Sequence, residues 1–218
     1  MILIGNGKVI TRDSNMPLIE DGAVLIQGTK IVKVGKGSDL RAENPEAEYV
    51  DAKGGLIMPG LINTHNHIYS AMARGLSIDG YDPKGFLDIL DGLWWTIDRH
   101  LTLEQTKQSA IATYIDCIKN GVTTVFDHHA SFGSIEDSLF TISDAAKQLG
   151  VRTCLCYEVS DRDGEEKMRA SVKENAEFIK HTASLTDDMQ KAMMGMHAAF
   201  TISDETFALC REFTPENV

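Results

Sequence analysis

Residues 57–218 alternate between short β-branched, apolar runs and longer segments whose apolar residues recur at helical spacing. The clearest helix begins at Thr102, which forms a capping-box pattern with Gln105, and it ends before Gly121. Parallel strands need crossover connections, which are usually helices, so the alternation predicts βα units around a parallel sheet. The predicted strands span residues 56–67, 122–127, 151–157 and 192–197, and the predicted helices span residues 102–119, 134–150, 165–181 and 203–213.

Four βα units make half of a closed barrel. A complete (β/α)8 barrel takes about 250 residues, whereas residues 57–218 number 218 − 56 = 162. We therefore predict an α/β fold: a partial (β/α)8, TIM-type barrel with about the first four units, which ends before strand five. Length alone leaves two alternatives, an independent half-barrel or the N-terminal part of a longer protein.

The first 56 residues have a different pattern, with short strands and tight turns. Residues 22–34 form two β-rich runs around a glycine-containing turn, which predicts a hairpin. A few strands with one buried face are marginal alone, so this part needs a partner layer. We predict two domains: residues 1–56, half of a β-sandwich module, and residues 57–218, the first half of a barrel.

A long segment without a clear pattern separates the first predicted strand from the first predicted helix. It runs from Arg74 to about Leu101 and contains Gly80, Gly85, Gly92 and the pair Trp94-Trp95. Loops of this length are uncommon in compact domains unless they cover or line a binding site. The segment is predicted to be such a loop.

Composition excludes several classes of function. The chain has 21 Lys and Arg against 32 Asp and Glu, a formal net charge of −11, which opposes nonspecific binding to nucleic acid. Its N-terminus lacks a basic region, and no segment approaches the roughly 18 consecutive apolar residues of a membrane span. We expect a cytoplasmic protein with no membrane partner, whose four cysteines are reduced thiols.

Histidines and acidic residues gather at the carboxyl ends of the predicted strands, which is the working face of a parallel barrel. His65 and His67 are two residues apart on strand one, so their side chains share a face and resemble half of a metal site. A lone His-x-His is a weak signal by itself. The other candidates at strand ends are Asp127, His128, His129, Tyr157, Glu158, Asp161 and His197.

The run Pro59-Gly60-Leu61-Ile62-Asn63-Thr64-His65-Asn66-His67, followed by Ala73-Arg74-Gly75-Leu76, resembles the first barrel strand of the amidohydrolase superfamily. The resemblance is greatest to the branch of cytosine deaminases, guanine deaminases and chlorohydrolases, and within it to SsnA-like aminohydrolases. It extends over nearly the whole chain, to Gly195-Met196-His197-Ala198-Ala199-Phe200-Thr201. It implies that a later part of the polypeptide completes the β-sandwich.

The resemblance also implies roles for particular residues. His65 and His67 match the two metal ligands of the first strand, for a single divalent zinc or iron ion that activates a water molecule. His197 matches a substrate-contacting histidine, and its position, where dinuclear relatives carry a lysine, implies a mononuclear site. No catalytic residue is expected in this chain, because the proton-shuttling Glu and the Asp of the last strand would lie beyond Val218.

Three further residues, Asp127, His128 and Trp95, are candidates for substrate binding. Each has a simpler alternative: Asp127 equally well braces a loop, and tryptophans more often pack in a core or lid. His128 and His129 alternate in direction along their strand, so at most one of them is expected to face the site.

The predicted function is therefore a metal-dependent hydrolytic deaminase, or aminohydrolase, acting on C–N bonds of a small amino-substituted heterocycle. One alternative is a chlorohydrolase or another C–N hydrolase of the same superfamily. An alternative of another class is an inert fragment, or a binding half that needs a second polypeptide. Exposed sheet edges also leave association into a homo-oligomer open.

Overall fold

The computed structural model describes residues 1–216 and divides the chain into two compact units, Met1–Gly60 and Leu61–Val218. The division lies four residues beyond the predicted boundary at residue 56. The reason is local: the two-residue strand Leu56–Ile57 pairs with the first strand of the N-terminal unit instead of continuing into the barrel sheet.

The N-terminal unit is a five-stranded sheet with one short helix. Its strands are β1 (Ile2–Ile10), β2 (Leu18–Gln27), β3 (Lys30–Lys36), β4 (Glu48–Asp51) and β5 (Leu56–Ile57), in the order β3-β2-β1-β4, with β5 also on β1. The predicted hairpin is confirmed, because β2 and β3 pair antiparallel around Gly28, whose φ is +58°. Helix α1 (Gly37–Glu43) was not predicted, because it buries only Leu40 and so lacks a visible apolar repeat.

The second unit is an open, four-stranded parallel sheet with helices in the connections. Its strands are β6 (Leu61–Asn66), β7 (Val122–His129), β8 (Arg152–Tyr157) and β9 (Gln190–Ala192), in the order β6-β7-β8-β9. The main helices are α4 (Leu103–Lys119), α5 (Ser138–Leu149), α6 (Glu165–Ala183) and α7 (Asp204–Glu212). This is the predicted α/β arrangement of a half-barrel, with β6 and β9 as its two edges.

The core of this unit lies between the sheet and its helices. Tyr114 of α4, Val125 of β7, Leu155 of β8 and Phe178 of α6 are all fully buried there. Four cysteines are free and buried: Cys117, Cys154, Cys156 and Cys210. No helix within residues 1–216 is both long and apolar enough to cross a membrane.

The apolar sequence of the first barrel strand suggests a buried strand, and this interpretation is wrong. In β6, Leu61 is 50% exposed and Ile62 is 61% exposed. The strand lies at an edge of the sheet, where one side has no neighbouring strand to cover it.

Strand four is also earlier and shorter than predicted. It ends at Ala192, and Met196 makes only an isolated bridge to Val159. The side chain of Asn175 on α6 causes the departure, because its Oδ1 accepts hydrogen bonds from the backbone N–H groups of Tyr157 (2.8 Å) and Gly195 (3.3 Å). The Asn175 side chain thus occupies backbone N–H groups that would otherwise be available for pairing between strands in a longer β8–β9 ladder.

The prediction of a loop over residues 74–101 was wrong in its second half. That half contains α2 (Phe86–Ile89), a π-helical turn (Leu90–Trp94) and α3 (Trp95–His100), and a 3-10 helix (Ile68–Ala73) precedes the segment. Gly85 and Gly92 suggested a loop, but a side chain at position 92 would collide with the ring of Tyr81, so close packing explains that glycine.

Helix α5 begins at Ser138, four residues later than predicted, and α6 supplies its N-terminal cap. Asp137 has a left-handed φ of +64°, and its own side chain makes no capping hydrogen bond. Instead, the carboxyl group of Glu174 accepts from the backbone N–H groups of Asp137 (3.0 Å) and Leu139 (2.8 Å). Two of the unpaired donors at the helix start are satisfied in this way.

Glu174 is expected to make stability depend on pH. Burial raises the pKa of its carboxyl group from 4.5 to about 7 in the folded protein, despite the two N–H donors. The folded state therefore holds a proton that the unfolded state loses, and this stabilisation is fully present below pH 4.5 and lost as the pH rises through 7.

The measurement is urea denaturation from pH 4 to 8 for the wild type and Glu174→Gln. The wild type should lose up to about 3 kcal/mol of unfolding free energy relative to the variant across this range. Parallel pH profiles for the two proteins would show that Glu174 does not titrate as described.

Candidate active site

A cavity of about 790 Å³ lies at the carboxyl ends of the parallel strands of the second unit. Its histidine and acidic lining residues are His65, His67, Asp127, His128, Glu158 and His197, and Thr64, Asn66 and Ser70 add uncharged polar groups. Its apolar walls include Tyr69, Phe86, Leu90, Trp94, Met193 and Met196. Apolar walls with a few convergent polar groups are typical of sites for small molecules.

His65 and His67 meet at this cavity, with 3.1 Å between their Nε2 atoms. The Nδ1 atom of His67 lies 3.0 Å from the carbonyl oxygen of His128. A carbonyl can only accept, so Nδ1 carries the proton and Nε2 of the neutral ring presents its lone pair. Burial lowers the pKa of His67, which favours this neutral form.

The nitrogen donors of His65 and His67 fit part of the ligand set of a divalent metal ion. Two imidazole nitrogens converging on one point, one of them fixed by a carbonyl at its other nitrogen, fit two ligands of a zinc-type site. A catalytic zinc site uses three protein ligands. Within residues 1–216, no group of three or more His, Cys, Asp and Glu side chains is arranged to hold a metal ion.

Asp127 holds the segment that carries His67. Its Oδ1 accepts from the backbone N–H of Ile68 (2.7 Å) and from Nδ2 of Asn66 (2.9 Å), on either side of His67. Burial raises the pKa of Asp127 to about 7, and its Oδ2 has no hydrogen-bond partner among the described residues. The brace suggested by the sequence is thus present, although on the loop after strand one, and the carboxyl group also lines the cavity.

His128 and His129 point in different directions, as their alternation along β7 predicts. His128 lines the cavity, with Nε2 3.5 Å from Oε2 of Glu158 and Nδ1 3.6 Å from Sγ of Cys156. His129 is fully buried in the core. Desolvation lowers the pKa of His129 to about 3, so its ring is neutral there.

Arg162 is the centre of a buried charge network beside the cavity. Its guanidinium contacts Oδ2 of Asp98 (2.6 Å), Oε1 of Glu158 (3.1 Å) and Oδ2 of Asp163 (3.1 Å). It also lies over the ring of Phe132, at 4.0 Å. Burial raises the pKa of Asp98 to about 7 even beside this cation.

His197 and Trp95 are in contact, but only His197 lines the cavity. Their ring centroids are 6.2 Å apart, and Nδ1 of His197 lies 2.8 Å from Oγ1 of Thr201. Trp95 packs against Arg162, while its neighbour Trp94 takes the place on the cavity wall that the sequence assigned to Trp95.

Three residues of this network were not predicted as site residues: Asp98, Arg162 and Asp163. Glu158 was named only as one of several acidic candidates at a strand end. The alternating charges of Asp161-Arg162-Asp163 after strand three are the one sequence signal that could have indicated an ion-pair cluster.

Two segments of the chain match known protein families. The model described as the amidohydrolase family matches residues 56–216, most of the chain. The chain belongs to the amidohydrolase family. A second, short match covers residues 22–47 and is described as an imidazolonepropionase-like composite domain of bacteria.

Among relatives of this amidohydrolase-family chain, a 5'-deoxyadenosine deaminase of Methanosarcina barkeri is 29% identical, over 97% of this chain and 45% of the relative. A 5-methylthioadenosine/S-adenosylhomocysteine deaminase of Thermococcus onnurineus is 31% identical, over 93% of this chain and 44% of the relative. The chain therefore spans less than half the length of these two relatives.

The solved structures that the chain resembles are also matched over about half of their own length. A mutant of atrazine chlorohydrolase TrzN from Arthrobacter aurescens TC1, complexed with zinc and atraton, superposes with a TM-score of 0.80. It is 25% identical, and the match covers 97% of this chain and 50% of that one. Guanine deaminase of E. coli, at 20% identity and a TM-score of 0.77, shares the fold over 97% of this chain and 50% of its own.

Proposed function

We propose that this amidohydrolase-family chain provides one wall of the active site of a metal-dependent hydrolytic deaminase of amino-substituted heterocycles. The observation that carries the proposal is the convergence of Nε2 of His65 and Nε2 of His67 at the cavity where the strands end. The deaminase activity named for two relatives supports the reaction type.

His65 and His67 would hold one divalent ion, with zinc placed before iron because a similar structure contains zinc. Such an ion, when bound, lowers the pKa of a coordinated water to about 7. The carbonyl of His128 fixes the ring of His67, whose Nε2 lies beside Nε2 of His65 and would be free to bind the ion. Asp127 holds both flanks of His67 and so keeps that ring at the cavity.

The rest of the lining would bind the heterocycle. Trp94, Leu90 and Tyr69 provide apolar surface for a planar ring and exclude water from it. His197 and His128 stand at the polar side of the cavity and are proposed to hydrogen-bond the substrate. Trp95, packed behind His197, is proposed to act by positioning that histidine.

The site needs groups that residues 1–216 do not bring together. Two histidines are fewer than the three protein ligands of a catalytic zinc ion. We infer that at least one further ligand, and the groups that carry protons, come from additional polypeptide, as the greater length of the relatives suggests. A second chain that completes this half is the competing arrangement. We also propose that the protein forms a homo-oligomer and is located in the cytoplasm.

A chlorohydrolase is the second candidate, because the solved structure at 25% identity is named as one. The test uses the protein in its full natural length, loaded with zinc, and pairs of purines, pyrimidines and triazines that carry either an amino or a chloro substituent at the same carbon. We expect ammonia release from amino compounds, abolished by a chelator and restored by zinc. Chloride release alone would identify the chlorohydrolase, and neither product would refute both proposals.

Asp127→Ala should weaken the metal site without removing a ligand. Loss of the bonds to Ile68 and Asn66 frees the backbone around His67, and loss of such supporting contacts typically reduces metal affinity by about 10- to 100-fold. Zinc competition with a chromophoric chelator measures the change, with the exposed Asp144→Ala as the control. Unchanged affinity in Asp127→Ala would show that His67 does not depend on this brace.

A further inference from the structure

Glu158 is a carboxylate that faces the cavity while the fold holds it from behind. It follows β8 directly, and its backbone N–H donates to the carbonyl oxygen of His129 at 2.7 Å, which fixes its position at the strand end. The residue is only 5% exposed, yet it lines the cavity together with His197. The side chain is therefore buried by the network behind it and open only toward the cavity.

The partners of Glu158 leave it able to accept further hydrogen bonds. Arg162 donates to Oε1 at 3.1 Å, and His128 stands 3.5 Å from Oε2. A carboxylate has about four acceptor positions and no donor when ionised, so about two of its positions remain for a ligand. Desolvation opposes the charge of Glu158, but His128, His197 and Arg162 outweigh it and hold the pKa of Glu158 below its usual range.

Glu158 lines the same cavity as His65 and His67. His128 stands next to both sides of it: its ring centroid is 5.8 Å from that of His67, and its Nε2 is 3.5 Å from Oε2 of Glu158. A heterocycle that fills the cavity with its amino carbon at His65 and His67 would meet Glu158 among the polar groups of the lining. An anionic acceptor there favours a donor and disfavours a lone pair or a negative charge.

We propose that Glu158 is the specificity-determining acceptor of this cavity and that it selects heterocycles carrying a second N–H donor besides the amino group that leaves. This rests on the proposed function of the same site. Arg162 acts as a positioning residue, because it touches Glu158 and not the cavity. Compounds with only one amino group are then the poorer ligands.

The test measures binding from the initial quenching of tryptophan fluorescence after rapid mixing, before any turnover, because Trp94 lines the cavity. The protein in its full natural length, loaded with zinc, is mixed with two pairs of probes: 9-methyladenine and 9-methyl-2,6-diaminopurine, and 4-aminopyrimidine and 2,4-diaminopyrimidine. Hydrogen bonds to a charged group are strong, so each diamino compound should bind about 10-fold or more tightly than its monoamino partner.

The variant Glu158→Gln sharpens the test. Arg162 can only donate, so it will keep the amide oxygen of the new side chain, and the NH2 group will turn toward His128 and the cavity. An acceptor is thus replaced by a donor, and the preference should fall below about threefold or reverse. Asp161→Asn is the matched control, because Asp161 lies on the same loop but bonds to Ser203 and Thr206. It should keep the wild-type preference.

The possible results distinguish a failure of the specificity role of Glu158 from a failure of the proposed deaminase activity. Equal binding within both pairs by the wild type, or no binding of any of the four probes, overturns the role of Glu158 even if Glu158→Gln fails to fold. A preference for the diamino compounds that Glu158→Gln retains overturns it as well. If the preference follows Glu158 but no probe releases ammonia, the specificity role stands and the deaminase proposal fails.

Discussion

Replacing His67 with alanine should reduce ammonia release, measured as kcat/KM, by about 10³-fold or more. His67 provides one of two converging Nε2 atoms, and without it a single histidine of the described residues remains for the ion. A metal ion contributes several kcal/mol of transition-state stabilisation, and each 1.36 kcal/mol corresponds to a factor of ten in rate. Zinc content after dialysis should fall in parallel with the rate.

His100→Ala is the control for this experiment. His100 is an exposed histidine at the end of α3 whose Nδ1 bonds to the carbonyl oxygen of Thr96, away from the cavity. The control should retain zinc and activity. Full activity and full zinc content in His67→Ala would contradict the assignment of His67 as a ligand.

Replacing Arg162 with methionine should destabilise the second unit by about 3–5 kcal/mol, because it leaves buried charges without their partner. The side chain of Arg162 is 5% exposed, and those of Asp98 and Glu158 are 1% and 7% exposed. Without the cation, both carboxyl groups remain buried with no opposite charge to offset the free-energy cost of their desolvation. Urea denaturation followed by tryptophan fluorescence measures the loss, since both tryptophans lie in this unit and Trp95 packs on Arg162.

Arg169→Ala provides the matched comparison. Arg169 also pairs with a glutamate four residues away, Glu165, but the two side chains are 58% and 73% exposed. Exposed pairs of this kind contribute about 0.3–0.5 kcal/mol. Equal losses of stability in the two variants would show that Arg162 is not the centre of a buried network.

Local signals predicted those parts of the fold that local interactions determine. Thr102 and Gln105 form the capping box that the sequence indicated, and α4 ends before Gly121, whose φ of +74° suits glycine. The alternation of strands and helices predicted the parallel sheet for the same reason, because each unit carries its own periodicity.

Long-range contacts determined the parts that were not predicted. Asp98 and Arg162 are 64 residues apart in the chain, so no sequence window shows that they meet. The helical segments over residues 86–100 were missed for the same reason, because tertiary contacts such as the Asp98–Arg162 pair hold them in place. Strand four ends early because a side chain of α6, Asn175, takes its place in the hydrogen bonding.

The same difference between local signals and long-range contacts decides which residues of the candidate site were predicted. His65 and His67 were identified because two ligands on one strand leave a short motif. Glu158 was only one of several acidic candidates, because its significance depends on Arg162 and His128, which the fold brings into contact with it. Trp94, and not Trp95, lines the cavity because the helical turns of the segment, which the sequence did not show, set their directions.

Anomalous X-ray diffraction at the zinc and iron absorption edges, on crystals of the metal-loaded protein in its full natural length, shows directly whether His65 and His67 bind the metal. We expect one anomalous peak about 2.0–2.1 Å from Nε2 of both His65 and His67. A peak bound by other residues, or a catalytically active protein with no peak at these two histidines, would contradict this expectation.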